Sequence, residues 1–289
     1  MLNSLNSAVA GLRNFQSKLD VIGNNIANSN TIGYKAAHAN FEDTFSQTLQ
    51  GGSKVVGELQ IGSGMQVSSI KSDFSAGSYQ QTGNESNLYI NGSDGFFVVK
   101  NPDTGEEFAT RAGDFSVDKN GYLVTNEGYR VQGYADQIAD GGAMSNFGDV
   151  RVNYDSSNPP AGISATAKPL GYKIETDGRV RVTLDDNSHI FSGQVLLQKF
   201  TDVSMLTKQG NNLYSNLSDA GPVNGSVDPS IVPGAQGTGQ LKSGALEMSN
   251  VDLAGEFADL ISTQRGFQAN ARIITTSDEM LQEVVNLKR

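Results

Sequence analysis

Apolar residues recur at alternating steps of three and four in the first and last stretches of the chain, and at steps of two between them. Leu5, Ala8, Leu12, Phe15, Leu19, Ile22 and Ile26 keep one heptad phase, which predicts an N-terminal helix with a bundle or coiled-coil seam. Gly11 and Gly23 flank the seam. Each costs about 1 kcal/mol against alanine inside a helix, so close approach of a neighbouring helix is the expected offset. At the other end Ser249 and Asn250 are N-cap candidates, and Ser249 with Asp252 resembles a capping box. Phe257, Leu260, Phe267, Ala271, Ile274, Leu281 and Val285 carry a second seam. Gln264 and Asp278 interrupt it, as polar seam residues do when they fix register. Lys288 and Arg289 suit the negative end of that helix's dipole.

All seven prolines fall between Pro102 and Pro233, which leaves both ends free to run as continuous helices. In the middle, 88–90, 95–100, 114–117, 122–124 and 129–131 read as short strands, followed by 171–174, 179–184 and 193–200. Asn101-Pro102-Asp103-Thr104-Gly105, Asp118-Lys119-Asn120-Gly121 and Thr176-Asp177-Gly178 punctuate them as turns. Residues 135–170 read as a loop-rich insertion, and the Gly/Ser-rich stretches 51–64 and 221–244 as linkers or arms. The expected fold class is α+β. N- and C-terminal helices (1–33 with 249–289) pair as a coiled-coil-like bundle, and extended arms (34–80 with 225–248) join them to a central antiparallel β domain (81–224).

Charge sharpens this layout. The net charge is −10, which argues against nucleic acid and anionic lipid, both of which are bound through a Lys/Arg excess. Residues 1–50 carry three basic and three acidic side chains and residues 250–289 four and six, so most of the acidic excess lies in the middle. Near-neutral ends can pack against copies of themselves with little repulsion. By periodicity alone, packing within the chain remains open beside packing between chains.

Candidate chemistry is sparse. With no cysteine, disulfides, thiolate catalysis and Cys-ligated zinc are excluded. His38 and His189 stand alone, with no triad or ligand spacing. Asp118-Lys119-Asn120-Gly121 begins like a calcium loop, but Tyr129 stands where the twelfth-position glutamate belongs. Gly62-Ser63-Gly64 lacks the lysine of a phosphate loop. The expectation is no catalytic, cofactor or metal residue and no enzymatic activity. No window is apolar enough to span a membrane, and the N-terminus lacks the form of a secretory signal.

Particular motifs then carry a resemblance. Asp20-Val21-Ile22-Gly23-Asn24-Asn25-Ile26-Ala27-Asn28 with Asn30-Thr31-Ile32-Gly33-Tyr34-Lys35 resembles the N-terminal signature of flagellar rod and hook proteins. Ser243-Gly244-Ala245-Leu246-Glu247-Met248-Ser249-Asn250-Val251-Asp252-Leu253 resembles their C-terminal one. Gly92-Ser93-Asp94-Gly95-Phe96-Phe97, Thr110-Arg111-Ala112-Gly113-Asp114-Phe115, Gln209-Gly210-Asn211-Asn212-Leu213-Tyr214 and Gln264-Arg265-Gly266-Phe267 are also similar to the family.

The resemblance implies a flagellar axial subunit, exported unfolded through the type III apparatus without a cleaved signal and stacked into a hollow tube with terminal helices inside. Within the family the stretch from Ile22 to Ile26 and the ending after Val285 resemble the hook protein, and the stretch after Phe41 is short for a distal rod subunit. The expected function is therefore a hook subunit, in a curved tube that transmits torque to the filament. The distal rod is the alternative, and a carbohydrate-active β-domain enzyme or binding module a remoter one. Implied partners are further copies of the chain, the distal rod, hook cap and hook–filament junction proteins, and the export apparatus. The expected assembly interface is Leu5, Leu12, Phe15, Leu19, Ile22, Ile26, Phe257, Leu260, Phe267, Ile274, Leu281 and Val285.

Overall fold

The computed structural model describes residues 2–50, 59–92, 94–139, 142, 144–154, 168–186, 188–226 and 229–287. Most of the 51–64 linker, much of the 135–170 insertion, and Lys288 and Arg289 at the expected dipole position lie outside the described residues. The chain forms two compact units. One comprises residues 1–29, 36–73 and 251–289, the other residues 30–35 and 74–250.

The first unit is built on two long helices, α1 (Leu2–Ala27) and α2 (Leu253–Leu287). They run antiparallel: Asn25 meets Glu256, Phe15 meets Gly266, and Gly11 meets Asn270. Helix α2 starts later than the expected cap. The Asp252 carboxylate accepts from the Ala254 amide at 3.1 Å, while the Asn250 side chain donates to the Ser75 hydroxyl. Asp252 therefore supplies the cap, since an acceptor is needed directly before the first free amides.

Four strands complete this unit: β1 (Ala37–Asp43), β2 (Ser46–Gln50), β3 (Leu59–Gly62) and β4 (Met65–Ser72). β1 pairs with β4 from Ala37↔Ser72 to Asp43↔Met65, and β2 with β3 from Ser46↔Gly62. Backbone bonds from Thr44 to Gly64 and from Ser63 to Phe45 join the two ladders into one ribbon. A two-stranded ribbon is marginal by itself in water. Here α1 backs it, through an edge-on Phe15–Phe41 ring pair at 6.4 Å and the Asn14 side chain on the Met65 carbonyl. This ribbon lies in the stretch expected as an arm over 34–80. Ala, Asn and Ser alternate there with few large apolar residues, so the backbone ladder carries a pattern that hydrophobicity barely marks.

The second unit is antiparallel β. Its main sheet runs Pro169–Ile174, Arg179–Leu184, His189–Val195, Arg130–Tyr134, Gly95–Lys100, Glu107–Thr110, Leu213–Ser215 and Thr207–Gly210. Gly95–Lys100 is buried on both faces, as its unbroken apolar run predicts. Phe97 and Val99 enter one core cluster with Leu88, Val131, Val182 and Ile190, while Phe96 and Val98 enter another with Phe74, Phe200 and Tyr214. Strand Arg179–Leu184 alternates instead, with Val180, Val182 and Leu184 inward. The Asp118–Gly121 segment is a turn closed by the Gly121 amide on the Asp118 carbonyl, with Gly121 at φ 81°.

Gly113 shows how closely this unit is packed. Its carbonyl accepts from the Leu88 amide at 2.9 Å, and a Cβ on it would run into the Leu88 carbonyl. Gly113→Ala is expected to destabilise the β unit by about 3 kcal/mol, read as a lower urea midpoint at unchanged slope.

Candidate functional site

Five of the family-like motifs meet inside the β unit. The first contributes Gly33, held at φ 67° with its amide on the Glu247 carbonyl at 2.8 Å. A side chain there would stand 2.7 Å from the Ala112 amide nitrogen, so only glycine fits. Tyr34 follows, buried, with the Lys208 ammonium over its ring at 4.6 Å. Lys208 also donates to the Lys35 carbonyl, and burial holds its pKa below the usual lysine value. The Asn212 side chain donates to the Ile32 carbonyl at 2.7 Å.

At the centre stand three charged side chains. Lys35 is 0 % exposed, and Arg111 and Glu247 are each 1 % exposed. Lys35 Nζ lies 2.7 Å from Glu247 Oε1 and 2.7 Å from the Ser75 carbonyl. The Gly77 amide donates to the same Oε1 at 2.9 Å. Arg111 Nη1 is 3.6 Å from Glu247 Oε2 and donates to the Gly92 carbonyl at 2.8 Å, with the guanidinium 4.8 Å over the Phe96 ring. Burial lowers the Arg111 pKa while Glu247 pulls it back up, and burial followed by the Glu247 charge raises the Tyr89 phenol. Breaking such a pair from one side costs about 3–5 kcal/mol, although the intact pair adds little net stability. The chemistry here is that of a structural tie between distant chain segments.

The helical unit has its own polar junction. Asn25 Nδ2 donates to Glu256 Oε1 at 2.9 Å and to the Ala37 carbonyl at 2.8 Å, while its Oδ1 accepts from the Ala37 amide at 3.0 Å. One side chain thus joins α1, the start of the ribbon and the first turn of α2. Lys18 approaches Asp259 at 3.8 Å. His38 is exposed on β1 and His189 is exposed in the β unit, 3.4 Å from the Thr183 hydroxyl. No cluster of His, Cys, Asp or Glu able to hold a metal occurs among the described residues.

The expected interface residues do not share one environment. Ile22 is buried, and Leu5, Leu12, Phe15, Leu19, Ile26, Leu260, Phe267, Ile274 and Leu281 are half-buried. Phe257 is 50 % and Val285 66 % exposed. Along α2 the covered positions are Glu256, Leu260, Thr263, Gly266, Phe267, Asn270, Ala271, Ile274, Ser277 and Leu281. The apolar seam keeps one of its two rows, and the other shifts largely by one residue, onto Glu256, Thr263, Asn270 and Ser277, with Ala271 the expected member that stays covered. Close approach explains the shift: a Cβ on Gly11 would meet the Asn270 side chain and one on Gly266 the Phe15 ring. Gly23 has no such neighbour within 4 Å among the described residues. Periodicity did not single out Lys35, Arg111, Glu247 and Asn25, although all four stand inside the quoted motifs.

Three family models match the chain. They are described as "Flagella basal body rod protein" over residues 5–35, "Flagellar hook protein FlgE/F/G D1 domain" over 89–182, and "Flagellar basal body rod FlgEFG protein C-terminal" over 242–287. The flagellar basal-body rod protein FlgG of Bacillus subtilis (strain 168) is 41% identical over 296 residues, covering 100% of each chain. The chain belongs to the flagellar rod and hook protein family. FlgG of Buchnera aphidicola subsp. Schizaphis graminum is 35% identical, covering 99% of this chain and 100% of its own. The flagellar hook protein FlgE of Borreliella burgdorferi is 27% identical over 449 aligned residues, covering 100% of each chain. This chain is accordingly a structural protein of the bacterial flagellum. No helix among its described residues is long and apolar enough to cross a membrane.

Asn25→Ala would strand the Glu256 carboxylate and both Ala37 backbone groups. The expected loss is about 3 kcal/mol in the helical unit, seen as an earlier fall of helical circular dichroism in urea.

Proposed function

We propose that the chain is a subunit of the distal rod of the flagellar basal body, polymerising with its own copies into a hollow axial tube. The observation that carries this reading is the end-to-end match to a basal-body rod protein at 41% identity, with full coverage of both chains. The hook relative aligns over 449 positions against a chain of 289, so it carries long stretches with no counterpart here. The preference for a hook rested on the Ile22–Ile26 stretch, the ending from Val285 and the short stretch after Phe41, and it is reversed on these grounds. That stretch instead enters the ribbon formed by β1 to β4, which extends to Ser72. The hook remains a second reading, because its full-length relative also spans the whole chain.

Assembly in this reading uses the terminal helices. α1 and α2 pair within the chain in coiled-coil fashion, and the apolar residues left outside meet neighbouring subunits. Phe257, Ile261, Met280, Val284, Val285 and Leu287 are all about half exposed or more. Burying such a side chain contributes roughly 1.5–3 kcal/mol, and each subunit repeats the gain. The covered α2 residues of the expected interface, Leu260, Phe267, Ile274 and Leu281, support the intrachain pairing; Phe257 and Val285 serve the contacts between subunits. Adjoining rod and hook proteins are the proposed partners, and the type III apparatus the proposed route out. No catalytic step is part of this function.

Two experiments test the proposal. A strain lacking this chain should build basal bodies that stop short of the distal rod, with neither hook nor filament. A complete rod without a hook would transfer the assignment to the hook. For the interface, Val285→Asp should leave monomer unfolding within about 0.5 kcal/mol of the parent and abolish polymerisation. Leu260→Asp should instead destabilise the helical unit itself. Normal tubes from Val285→Asp would remove the exposed stripe from the interface.

A further inference from the structure

Two kinds of lysine are common in this chain. Lys35, Lys100 and Lys199 lie within 3.1 Å of Glu247, Glu107 and Asp94. Lys119 and Lys173 stand exposed, one in a turn and one on a strand. Lys208 belongs to neither kind. It lies on Thr207–Gly210, the last strand of the main sheet, and is exposed as a residue, so solvent species can reach it. Its ammonium nevertheless turns back onto the protein, 4.6 Å over the buried Tyr34 ring and 3.0 Å from the Lys35 carbonyl. No carboxylate pairs with it among the described residues. Across the ladder stands Tyr214, whose phenol is kept neutral because burial raises its pKa.

An amine is a nucleophile only after it has lost a proton. Covering an ammonium without supplying a counter-charge favours that loss. Burial lowers the Lys208 pKa in just this way. The same surroundings suit the attack itself. As the nitrogen bonds to an electrophile it turns positive, and the Lys35 carbonyl and Tyr34 ring are already placed to receive that charge.

We propose that Lys208 is a site of acylation by activated acyl groups of the acyl-phosphate class, and that this modification loosens residues 30–35. Nζ attacks the acyl carbon, a C–N bond forms, and the C–O bond to phosphate breaks. Phosphate leaves with the bonding pair, and the proton released by nitrogen passes to it through water. The product is an uncharged amide. It forfeits the cation–π contact with Tyr34 and the charge-assisted hydrogen bond to the Lys35 carbonyl. Residues 30–35 keep the Gly33 amide on Glu247 and the Asn212 side chain on Ile32, so the segment is loosened rather than released. Nothing in this chemistry depends on the rod reading.

The test treats the full chain, as monomer, with limiting acetyl phosphate and follows each lysine by peptide mass spectrometry. At about pH 7, Lys208 should react at least about threefold faster than Lys119 and Lys173. The margin should narrow by about pH 10, where deprotonation ceases to limit lysines in general. In urea it should vanish, because it belongs to the fold. Exchange of the Gly33 amide should quicken about fivefold in the acetylated chain and in Lys208→Gln. In Lys208→Arg, which keeps the charge, it should stay as in the parent. Exchange in Gly95–Lys100 should not change in any of these. Lys208 reacting no faster than Lys119 and Lys173 would overturn the proposal, as would a margin that survives in urea. Unchanged Gly33 exchange after acetylation would overturn it too.

Discussion

A carboxylate taken out of water must be met by positive charge or by donors, and Glu247 is met by both. Lys35 and the Gly77 amide hold one oxygen, and Arg111 stands beside the other. Much local geometry follows from that demand. Gly33 adopts a left-handed conformation so that its amide reaches the Glu247 carbonyl, and Gly77 passes so close to Met248 that a side chain there would collide with its carbonyl. Arg111 gives up hydration for the Gly92 carbonyl and the Phe96 ring. Such a cluster adds little net stability, yet it tolerates few alternatives, because every misfit leaves a charge buried without its partner. Its yield is specificity in where the chain's early and late segments end up.

The helical unit solves a different problem. Two helices that approach closely enough for Gly11 to face Asn270 and Gly266 to face Phe15 have no room for large side chains at each contact. The contact row is therefore mixed, with Leu, Phe and Ile alternating with Glu, Thr, Asn and Ser. Small and hydrogen-bonded residues set the distance, while the apolar ones supply the burial. The cost is that several large apolar residues of α2 are left facing out, with Leu287 86 % exposed. For an isolated protein that is a liability. In the proposed rod subunit, whose ends are near neutral in net charge, these residues would be the ones that neighbouring subunits cover.

Much of the architecture was legible from residues alone. Proline-free heptads marked both long helices, and the run Gly95–Lys100 and the alternating Arg179–Leu184 appear as strands with their expected bounds. The ribbon was not legible, because Ala37–Asp43 and its partner carry mostly small or polar side chains, with Phe41, Met65, Val67 and Ile70 too few to mark a strand pair that backbone ladders and α1 decide. Part of the row of α2 that faces α1 lies one position from the expected seam, at Glu256, Thr263 and Ser277, since an apolar pattern shows which residues avoid water but not which neighbour they avoid it with. The cap moved from Ser249 to Asp252 for a similar reason: Ser249 lies too far ahead of the first free amides of α2.

What the sequence by itself determined is therefore the class of the protein: helical ends, a β middle, no thiol, and a set of motifs whose residue types place it among flagellar axial proteins. Those features are local, being written in periods, turns and short signatures. Tertiary structure alone decided that Lys35, Arg111 and Glu247 form one buried cluster and that Asn25 serves three elements at once. Charge pairing between residues more than two hundred positions apart leaves no periodic trace, because nothing in a linear pattern states which lysine will share a dry interior with which glutamate. Only the folded chain, by removing water from all of them together, makes the choice necessary.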